Sequence, residues 1–437
     1  MEETAIAPKP GVGRKISASR EALPATPLKD ISSGKVDRLA TGSTEFDRVL
    51  GGGVVPGAVM LLGGEPGIGK STLLLQTAAQ LSQHGTVLYV SGEESNEQIG
   101  LRAQRLKVNA DSLSLVASTD ADAVIQTILS AGPAAVIIDS IQTMATDQYA
   151  SGAGSITQVR EVATRLGAVA KSQRIPIILV GHVTKEGEVA GPKLLEHLVD
   201  TVLYLEGEKF HNQRLLRGAK NRFGPTDEVG VLEMEEEGLV DVSNPSAAFL
   251  GESESDRLGS AVCATLEGTR CLLTEVQALT VATSFGYPKR TASGFDLNKL
   301  HLLLAVLTRH AKLPVGTHDV YVGVSGGFRL SEPGADLAVA LAAVSAVRGR
   351  PLKEQLAVVG ECGLAGEIRP VAGVAKRIEE AKRAGFKEII VPKRGLPKKL
   401  PTGITVTGVG RIEEAVKTAL QPDNLHKSGP KSASLKS

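Results

Sequence analysis

The nine residues from Gly64 to Thr72, GEPGIGKST, constrain the fold of this chain more than any other stretch. They match the P-loop pattern G-x-x-x-x-G-K-[ST] without a substitution. Glycines let main-chain N–H groups curve round a phosphate with no Cβ in the way. The pattern assigns Lys70 to the β- and γ-phosphates and the Ser71 hydroxyl to Mg²⁺. The predicted nucleotide-binding residues of this stretch are Gly64, Glu65, Pro66, Gly67, Ile68, Gly69, Lys70, Ser71 and Thr72.

The sequence on either side of this loop has the character that a P-loop requires. Residues 58–62, AVMLL, predict a buried strand, and residues 71–76, STLLLQ, predict the start of a helix, whose N-terminus attracts anions. A glycine-rich turn that binds nothing would not need this order of strand, loop and helix. The stretch therefore indicates a nucleotide-binding core of the ATPase or GTPase kind.

Composition argues against several classes of protein. The formal net charge of the 437 residues is +1, so any surface for nucleic acid must be a local one. Aromatic residues make up 3% and Trp is absent, which argues against base stacking as the main mode of binding. The three cysteines include no C-x-x-C pair, which argues against a disulfide framework or a thiolate zinc site. No apolar run approaches the ~18 residues of a membrane span, and the start has no secretory signal, so we expect a cytoplasmic protein with no membrane partner.

Two adjacent acids follow the next predicted strand, residues 86–91. Glu93 and Glu94 precede a capping-box pattern that runs from Ser95 to Gln98, so they lie between the end of a strand and the start of a helix. Open α/β sheets bind ligands at that edge, where a carboxylate can polarise the water that attacks a γ-phosphate. Complementing the helix dipole is the alternative role. Because a P-loop lies nearby, we favour catalysis for these acids.

Two further predicted strands end in polar residues at the same edge. The run 134–138, AAVII, ends at Asp139, a form typical of a carboxylate that holds Mg²⁺, usually through water. Capping of the following segment is the alternative role for Asp139. The strand predicted at 175–181 ends at His182, which lies either where it can sense the γ-phosphate or where it serves as a hydrogen-bonded structural histidine.

A basic segment, KNRFG, occupies residues 220–224. Lys220 and Arg222 are two positions apart, so on an extended segment their side chains point the same way. One interpretation is a solvated hairpin tip. The other is a catalytic cationic finger that reaches a nucleotide on a neighbouring subunit, where it would stabilise the charge that develops during phosphoryl transfer.

Together, the P-loop, Glu93-Glu94, Asp139 and KNRFG resemble the RecA/DnaB superfamily and, within it, the RadA (Sms) family of bacterial DNA repair proteins, over roughly residues 36–420. The resemblance implies ATP as the nucleotide, Mg²⁺ as its metal and a homo-oligomer in the form of a hexameric ring. It implies binding to single-stranded and branched DNA, movement on single strands, and branch migration and processing of recombination intermediates alongside the RecA recombinase.

The resemblance also implies which parts of the chain contact DNA. It implies that the loops at about 144–155 and 184–195 face DNA and that Lys185 and Lys193 contact its phosphates. A capping-box pattern from Ser155 to Gln158 predicts that a helix starts directly after the first of these loops.

The chain departs from the family pattern in one respect. Family members share a four-cysteine zinc module ahead of the ATPase, whereas the first cysteine here is Cys263. We therefore expect no zinc in this chain, whether it is a shortened form, has a misassigned start or is a natural variant. Functions tied to that module are not assigned to it.

The second half resembles the Lon protease domain. Residues 330–336, LSEPGAD, precede an apolar helix, and residues 366–375, GEIRPVAGVA, precede Lys376. The positions that match the Ser–Lys dyad of Lon proteases hold Gly334 and Ala375, which can neither attack a peptide nor accept a proton. Lys376 is one residue further along, about 100° round a helix. The resemblance implies a Lon-like fold without proteolysis.

The predicted fold is α/β, a RecA-like P-loop NTPase core followed by a Lon-protease-like α/β domain. We expect a flexible N-terminal arm over 1–35, the ATPase domain over 36–245, the Lon-like domain over 246–420 and a flexible tail over 421–437. The predicted function is that of a DNA-dependent ATPase of recombinational repair. The alternatives are a RecA-fold signalling ATPase that does not bind DNA and an ATP-dependent protease of the Lon type.

Overall fold

The computed structural model describes most of the chain, namely residue 27 and residues 37–108, 111–182, 192–207, 212–246, 250, 257–283, 286–327 and 329–422. The predicted arm (except Pro27), Lys185 and the predicted tail beyond residue 422 lie outside these ranges. The described residues from Arg38 onward belong to one compact unit. Within the described ranges, no helix is long and apolar enough to cross a membrane.

The first half of the chain forms a nine-stranded sheet in the order β3-β2-β4-β5-β1-β6-β7-β8-β9. Strands β1 to β6 are parallel, and β7, β8 and β9 extend the sheet as antiparallel neighbours. The strands are β1 Val59–Gly64, β2 Val87–Ser91, β3 Leu113–Ala117, β4 Ala135–Asp139, β5 Ile177–His182, β6 Thr201–Glu206, β7 Gln213–Asn221, β8 Val229–Glu235 and β9 Gly238–Asp241. The helices are α1 Thr44–Leu50, α2 Lys70–Leu81, α3 Asn96–Arg105, α4 Ala121–Ala131, α5 Ile156–Gln173 and α6 Pro192–Leu195.

The central strands are continuous apolar runs because helices cover both faces of this sheet. In β1, Met60 and Leu62 pack into one core together with residues of α2. Val59 and Leu61 point the other way and pack with residues of α4 and α5. Parallel strands between two helical layers are typically apolar on both faces, which explains why this strand shows no alternation in the sequence.

The carboxyl ends of four parallel strands meet at one edge, as predicted. Gly64 at the end of β1 is paired in register with His182 at the end of β5. Ser91 at the end of β2 is paired with Asp139 at the end of β4. Because β4 and β5 are neighbours, the four ends form one contiguous rim.

The second half forms a seven-stranded sheet in the order β12-β13-β11-β10-β14-β17-β18, with a separate two-stranded sheet of β15 and β16. The strands are β10 Ser260–Glu267, β11 Arg270–Ala282, β12 Arg290–Ser293, β13 His318–Val324, β14 Leu356–Val358, β15 Glu361–Cys362, β16 Ile368–Arg369, β17 Glu388–Pro392 and β18 Thr405–Val409. The helices are α7 Leu297–His310, α8 Asp336–Arg348, α9 Val374–Arg383 and α10 Ile412–Ala419.

Helix α8 is the centre of this second core. Its first ten residues, from Asp336 to Ser345, are all buried. A helix that is apolar on every side must be enclosed, and α8 packs against β10, β11, α7 and α10. The apolar helix that the sequence places after Gly334 is therefore the core helix of the second half.

Candidate active site

The loop between β1 and α2 has the P-loop form that the sequence predicts. It turns on Gly67 and Gly69, whose φ angles are +79° and +116°. The φ of Gly69 disfavours any residue with a side chain, and a Cβ there would also lie 2.6 Å from Met234 Cε, so that this methionine would have to move. Helix α2 has no acidic residue in its first turn, so the positive end of its dipole is available to a phosphate.

Lys70 holds its charge inside the curve of this loop. Its side chain is 3% exposed, and Nζ donates hydrogen bonds to Gly64 O at 2.9 Å and to Glu65 O at 3.0 Å. Burial lowers the pKa of Lys70, while the nearby charges of Asp139 and Glu93 act in the opposite direction. The lysine is therefore coupled electrostatically to two of the predicted acids of the site, Asp139 and Glu93.

Asp139 ends β4 and is oriented by a residue that sequence reasoning missed. The Tyr89 hydroxyl donates a hydrogen bond of 2.7 Å to Asp139 Oδ2 in the interior. Burial, together with the Asp139 charge, raises the pKa of Tyr89 well above its ordinary value, so the phenol stays a donor. Tyr89 lies on β2, next to β4, but nothing in its local sequence marks it as a partner of Asp139.

The oxygen atoms at this rim suit Mg²⁺. This ion prefers hard oxygen ligands and keeps several of its waters, so it needs few protein groups. Asp139 is 6% exposed, and the Tyr89 hydrogen bond uses only Oδ2, which leaves Oδ1 for the metal or one of its waters. Ser71 is the second residue of α2, next to the P-loop lysine. The predicted Mg²⁺ donors, Ser71 and Asp139, thus fit the ion chemically.

Glu93 has the surroundings of a general base. Its Oε1 accepts a hydrogen bond from Ser140 Oγ at 2.7 Å and lies 3.1 Å from His182 Nε2. Burial alone would raise the pKa of Glu93, but Ser140, His182 and Lys70 outweigh it and hold the pKa below its usual value. The carboxylate is therefore ionised at neutral pH, and its side chain remains 45% exposed to a reactant.

Glu94 points elsewhere. It forms an ion pair with Arg102 of α3, whereas Ser91 Oγ accepts hydrogen bonds from the N–H groups of both Glu93 and Glu94. The capping box from Ser95 to Gln98 is present, so this turn is fixed on both sides. The predicted catalytic role of Glu94 stays a prediction, and the geometry favours Glu93 as the base.

His182 contacts both Glu93 and Gln142. Besides Glu93, it is held through its carbonyl oxygen, which accepts a hydrogen bond of 3.3 Å from Gln142 Nε2. Its Nδ1 is buried and has no hydrogen-bond partner among the residues that the structure describes. The next residues, 183–191, lie outside the described ranges.

Arg214 holds the main chain of the P-loop, and it is a second residue that sequence reasoning missed. Its side chain is 6% exposed, and Nε donates a hydrogen bond of 3.0 Å to Ile68 O. Burial lowers the pKa of Arg214. The two residues are 146 positions apart, so no local pattern could have paired them.

Lys220 and Arg222 lie away from the P-loop of their own chain. Lys220 is paired in register with Val202 of β6, and Val202 is paired with Leu61 of β1. Leu61 is three residues before Gly64, which corresponds to roughly 10 Å along the strand. The two side chains point towards one segment, as predicted. Lys220 Nζ donates to the carbonyls of residues 196 and 199 at 2.6 and 2.8 Å, and Arg222 Nη1 donates to an oxygen of Asp200 at 3.3 Å.

The first predicted DNA loop is shaped by Gln158. Its side-chain amide donates to the carbonyls of Thr146, Tyr149 and Ser151, and its Oε1 accepts from Thr146 N. The predicted capping box is therefore wrong in part, because Ser155 caps α5 but Gln158 turns to the loop instead of the cap. In the second predicted loop, Lys193 is exposed, whereas Lys185 lies outside the described residues.

An ion pair fills the region that matches the Lon dyad. A Cβ on Gly334 would lie 3.2 Å from Arg377 Nη1 and 3.2 Å from Glu332 Oε2. Arg377, 1% exposed, donates to the two oxygens of Glu332 at 2.7 and 2.6 Å. Lys376 turns away and donates to Thr269 O at 3.3 Å. Sequence reasoning noted the missing nucleophile but not this pair.

Comparison with known proteins covers both halves of the chain. Residues 24–188 match the family described as AAA domain, and residues 312–422 match the Lon protease (S16) C-terminal proteolytic domain. The fold is accordingly a RecA-like P-loop core followed by a Lon-like α/β domain. The solved KaiC-like protein PH0186 of Pyrococcus horikoshii is 19% identical, with a TM-score of 0.40 over 47% of this chain and 99% of that one, a likeness too weak to carry an argument.

Curated relatives match nearly the whole chain. A DNA repair protein RadA of Listeria monocytogenes is 51% identical, over 91% of this chain and 88% of that protein. The DNA repair protein RadA of Streptococcus pneumoniae is 49% identical, over 95% and 99%, and that of Bacillus subtilis is 48% identical, over 90% and 87%. Because identity at this level extends across both sheets and the nucleotide site, the chain belongs to the RadA family.

Proposed function

We propose that this chain hydrolyses ATP at its P-loop in the service of DNA repair, with Glu93 as the base that activates water. The observation that carries the proposal is the placement of the Glu93 carboxylate, which Ser140 and His182 hold next to the buried Lys70. Lys70 would bind the β- and γ-phosphates. Ser71 and Asp139 would hold Mg²⁺, which neutralises phosphate charge when bound.

We further propose that Lys220 and Arg222 act on the nucleotide of a neighbouring subunit in a hexameric ring. Lys220 lies in register with a position three residues before Gly64, and this distance from its own P-loop supports action in trans. A cation supplied in trans stabilises the charge on the transferred phosphoryl group and can be worth about 10³–10⁵ in rate. Hydrolysis would then depend on assembly of the ring.

We further propose a specific activity within DNA repair. The protein moves on single-stranded DNA and promotes branch migration of recombination intermediates alongside RecA, in the cytoplasm. The family relationship supports a role in repair, and the exposed Lys193 and the shaped 144–155 loop supply candidate DNA contacts. We keep 36–245 and 246–420 as the limits of the two domains. We propose that the second is not a protease, since Gly334 offers no nucleophile.

The trans arrangement is tested by mixing two inactive proteins. Lys70→Ala subunits have intact fingers and a defective pocket, whereas Lys220→Ala subunits have intact pockets and a defective finger. Partial recovery of phosphate release in mixed rings is the expected result. No recovery at any mixing ratio, although mixed rings form, would mean that Lys220 is part of an ordinary hairpin tip.

The DNA dependence is tested by adding single-stranded DNA to the wild-type protein. We expect phosphate release to be stimulated, and the stimulation to weaken with salt because phosphate contacts dominate such binding. A rate of phosphate release that does not change with DNA at any salt concentration would favour a signalling ATPase instead.

A further inference from the structure

The tip of the β10–β11 hairpin, residues 267–270, lies against the ATPase half of the molecule. The hairpin pairs Glu267 with Arg270, so Gly268 and Thr269 form its two-residue turn. Thr269 N donates a hydrogen bond of 2.7 Å to Asp227 O in the turn between β7 and β8. Gly268 has a φ of +59°, and a Cβ there would lie 1.5 Å from Asp227 O. The two turns are therefore in direct main-chain contact, with no room for a side chain between them.

Side chains on both sides of the tip add to this contact. Arg270 forms an ion pair with Glu45 of α1, and the two side chains are 16% and 5% exposed. Glu45 Oε2 also accepts a hydrogen bond of 2.8 Å from Val231 N in β8. On the other strand of the hairpin, Glu267 forms an ion pair with Arg217 of β7. Charge pairs that are largely buried in good geometry fix position more firmly than exposed ones.

The turn that the tip contacts continues directly from the KNRFG segment. Asp227 lies three residues beyond Gly224, and the Thr269 hydroxyl donates to Glu228 next to it. The start of the same turn is held by other contacts. Asn221 Nδ2 donates to Leu50 O at 3.2 Å, and Arg38 donates to Phe223 O at 2.6 Å. The hairpin tip therefore holds the end of the turn, whereas these contacts hold its start.

We infer that the Glu267–Arg270 tip of the Lon-like half is a positioning device for the turn that follows the KNRFG segment, fixing that turn so that Lys220 and Arg222 reach a neighbouring nucleotide once they leave the contacts within their own chain. This inference rests on the proposed action of these cations in trans. The Lon-like half then contributes to ATP hydrolysis without touching a nucleotide, through the four residues of one hairpin.

Two glycine variants with equal backbone strain provide the test. Gly268→Ala forces the two turns apart by more than an ångström, because its Cβ would lie 1.5 Å from Asp227 O. Gly349→Ala is the matched control, since Gly349 has the same φ of +59° but no atom within 4 Å of a Cβ. A misplacement of about 1 Å can cost about 100-fold in rate, so we expect kcat to fall about that much in Gly268→Ala and to stay within about twofold in the control. KM for ATP and ring formation should not change in either variant.

Subunit mixing separates positioning from a general structural defect. Gly268→Ala subunits should regain activity when mixed with Lys70→Ala subunits, which bring sound fingers, and should regain none with Lys220→Ala subunits. A variant that is merely misfolded would recover with neither partner. If Gly268→Ala does not form rings, Thr269→Val replaces it. Loss of the hydroxyl contact with Glu228 should lower kcat about fivefold, the effect of one hydrogen bond, with the same mixing pattern.

The inference and the proposed function fail in different ways. If the Lys70→Ala and Lys220→Ala mixture recovers but Gly268→Ala and Thr269→Val have wild-type kcat, the positioning role of the hairpin is wrong and the trans fingers stand. If these variants are slow but do not recover with Lys70→Ala, the hairpin acts by another route and the inference is overturned. If the first mixture does not recover, the trans fingers are wrong and the inference falls with them.

Discussion

Arg377→Ala should destabilise the Lon-like half severely, because it removes a fully buried guanidinium and leaves the Glu332 carboxylate, which is only 18% exposed, without its ionic partner. The Arg377 side chain is 1% exposed and donates to both oxygens of Glu332. It also donates to Ala372 O at 2.9 Å and to Ala264 O. Among the residues that the structure describes, Glu332 Oε1 keeps only the hydrogen bond of 2.7 Å from Leu266 N once the guanidinium is gone.

The size of the effect follows from this environment. Breaking a buried ion pair by removing one partner costs about 3–5 kcal/mol of unfolding free energy. For a domain of 150–250 residues, each kcal/mol lowers Tm by about 2–4 °C, so the expected loss is roughly 6–20 °C. Differential scanning calorimetry measures it directly.

Two controls make this result specific. Arg369→Ala removes an arginine that is 52% exposed and paired with Glu361 and Glu367, so it should leave Tm almost unchanged. The double variant Arg377→Met, Glu332→Leu should regain most of the lost stability, since apolar groups of similar volume can replace a buried ion pair at little cost. If Arg377→Ala unfolds within about 1 kcal/mol of the wild type, the pair does not stabilise this half and our reasoning is wrong.

Four further substitutions test the sites. Lys70→Ala should abolish phosphate release, because the P-loop loses its cation; measurable turnover would require another phosphate ligand. Glu93→Gln should bind a fluorescent ATP analogue with normal affinity but hydrolyse ATP at least about 100-fold more slowly, and wild-type turnover would move the base to Glu94. Tyr89→Phe should raise the Mg²⁺ concentration needed for half-maximal activity about fivefold, because Asp139 loses one orienting hydrogen bond. An unchanged Mg²⁺ requirement would mean that Tyr89 does not affect metal binding. Lys185→Glu should weaken binding to single-stranded DNA in a filter assay and reduce the salt slope by about 1, and undiminished affinity would remove that loop from the DNA path.

The sequence allowed the rim of the nucleotide site to be predicted because its parts follow local rules. Gly64, Asp139 and His182 each end an apolar run, and parallel strands bring such ends to one edge. The P-loop has a pattern of its own, so its geometry could be foreseen without any knowledge of distant residues.

The contacts that hold the rim in place could not be predicted, because they join residues far apart in the chain. Tyr89 and Asp139 are 50 positions apart, and the tertiary fold alone brings the phenol to the carboxylate. Likewise, the loss of a nucleophile at Gly334 could be read directly, but the guanidinium of Arg377 beside it could not. Gln158 shows the converse, since a local capping pattern was overruled by three loop carbonyls that satisfy its amide.

The contact that Lys220 makes within its own chain has a consequence for communication round a ring. Its ammonium is bound to Glu196 O and Val199 O, directly after the second predicted DNA loop, and the same ammonium cannot bind a neighbour's phosphate without leaving them. Anything that tightens this segment on Lys220 would therefore weaken its engagement with the neighbouring nucleotide, and the reverse effect must have the same free energy. The end of a DNA loop in one subunit and the nucleotide of the next would thus compete for a single charge, which is the simplest physical form of negative coupling between two sites.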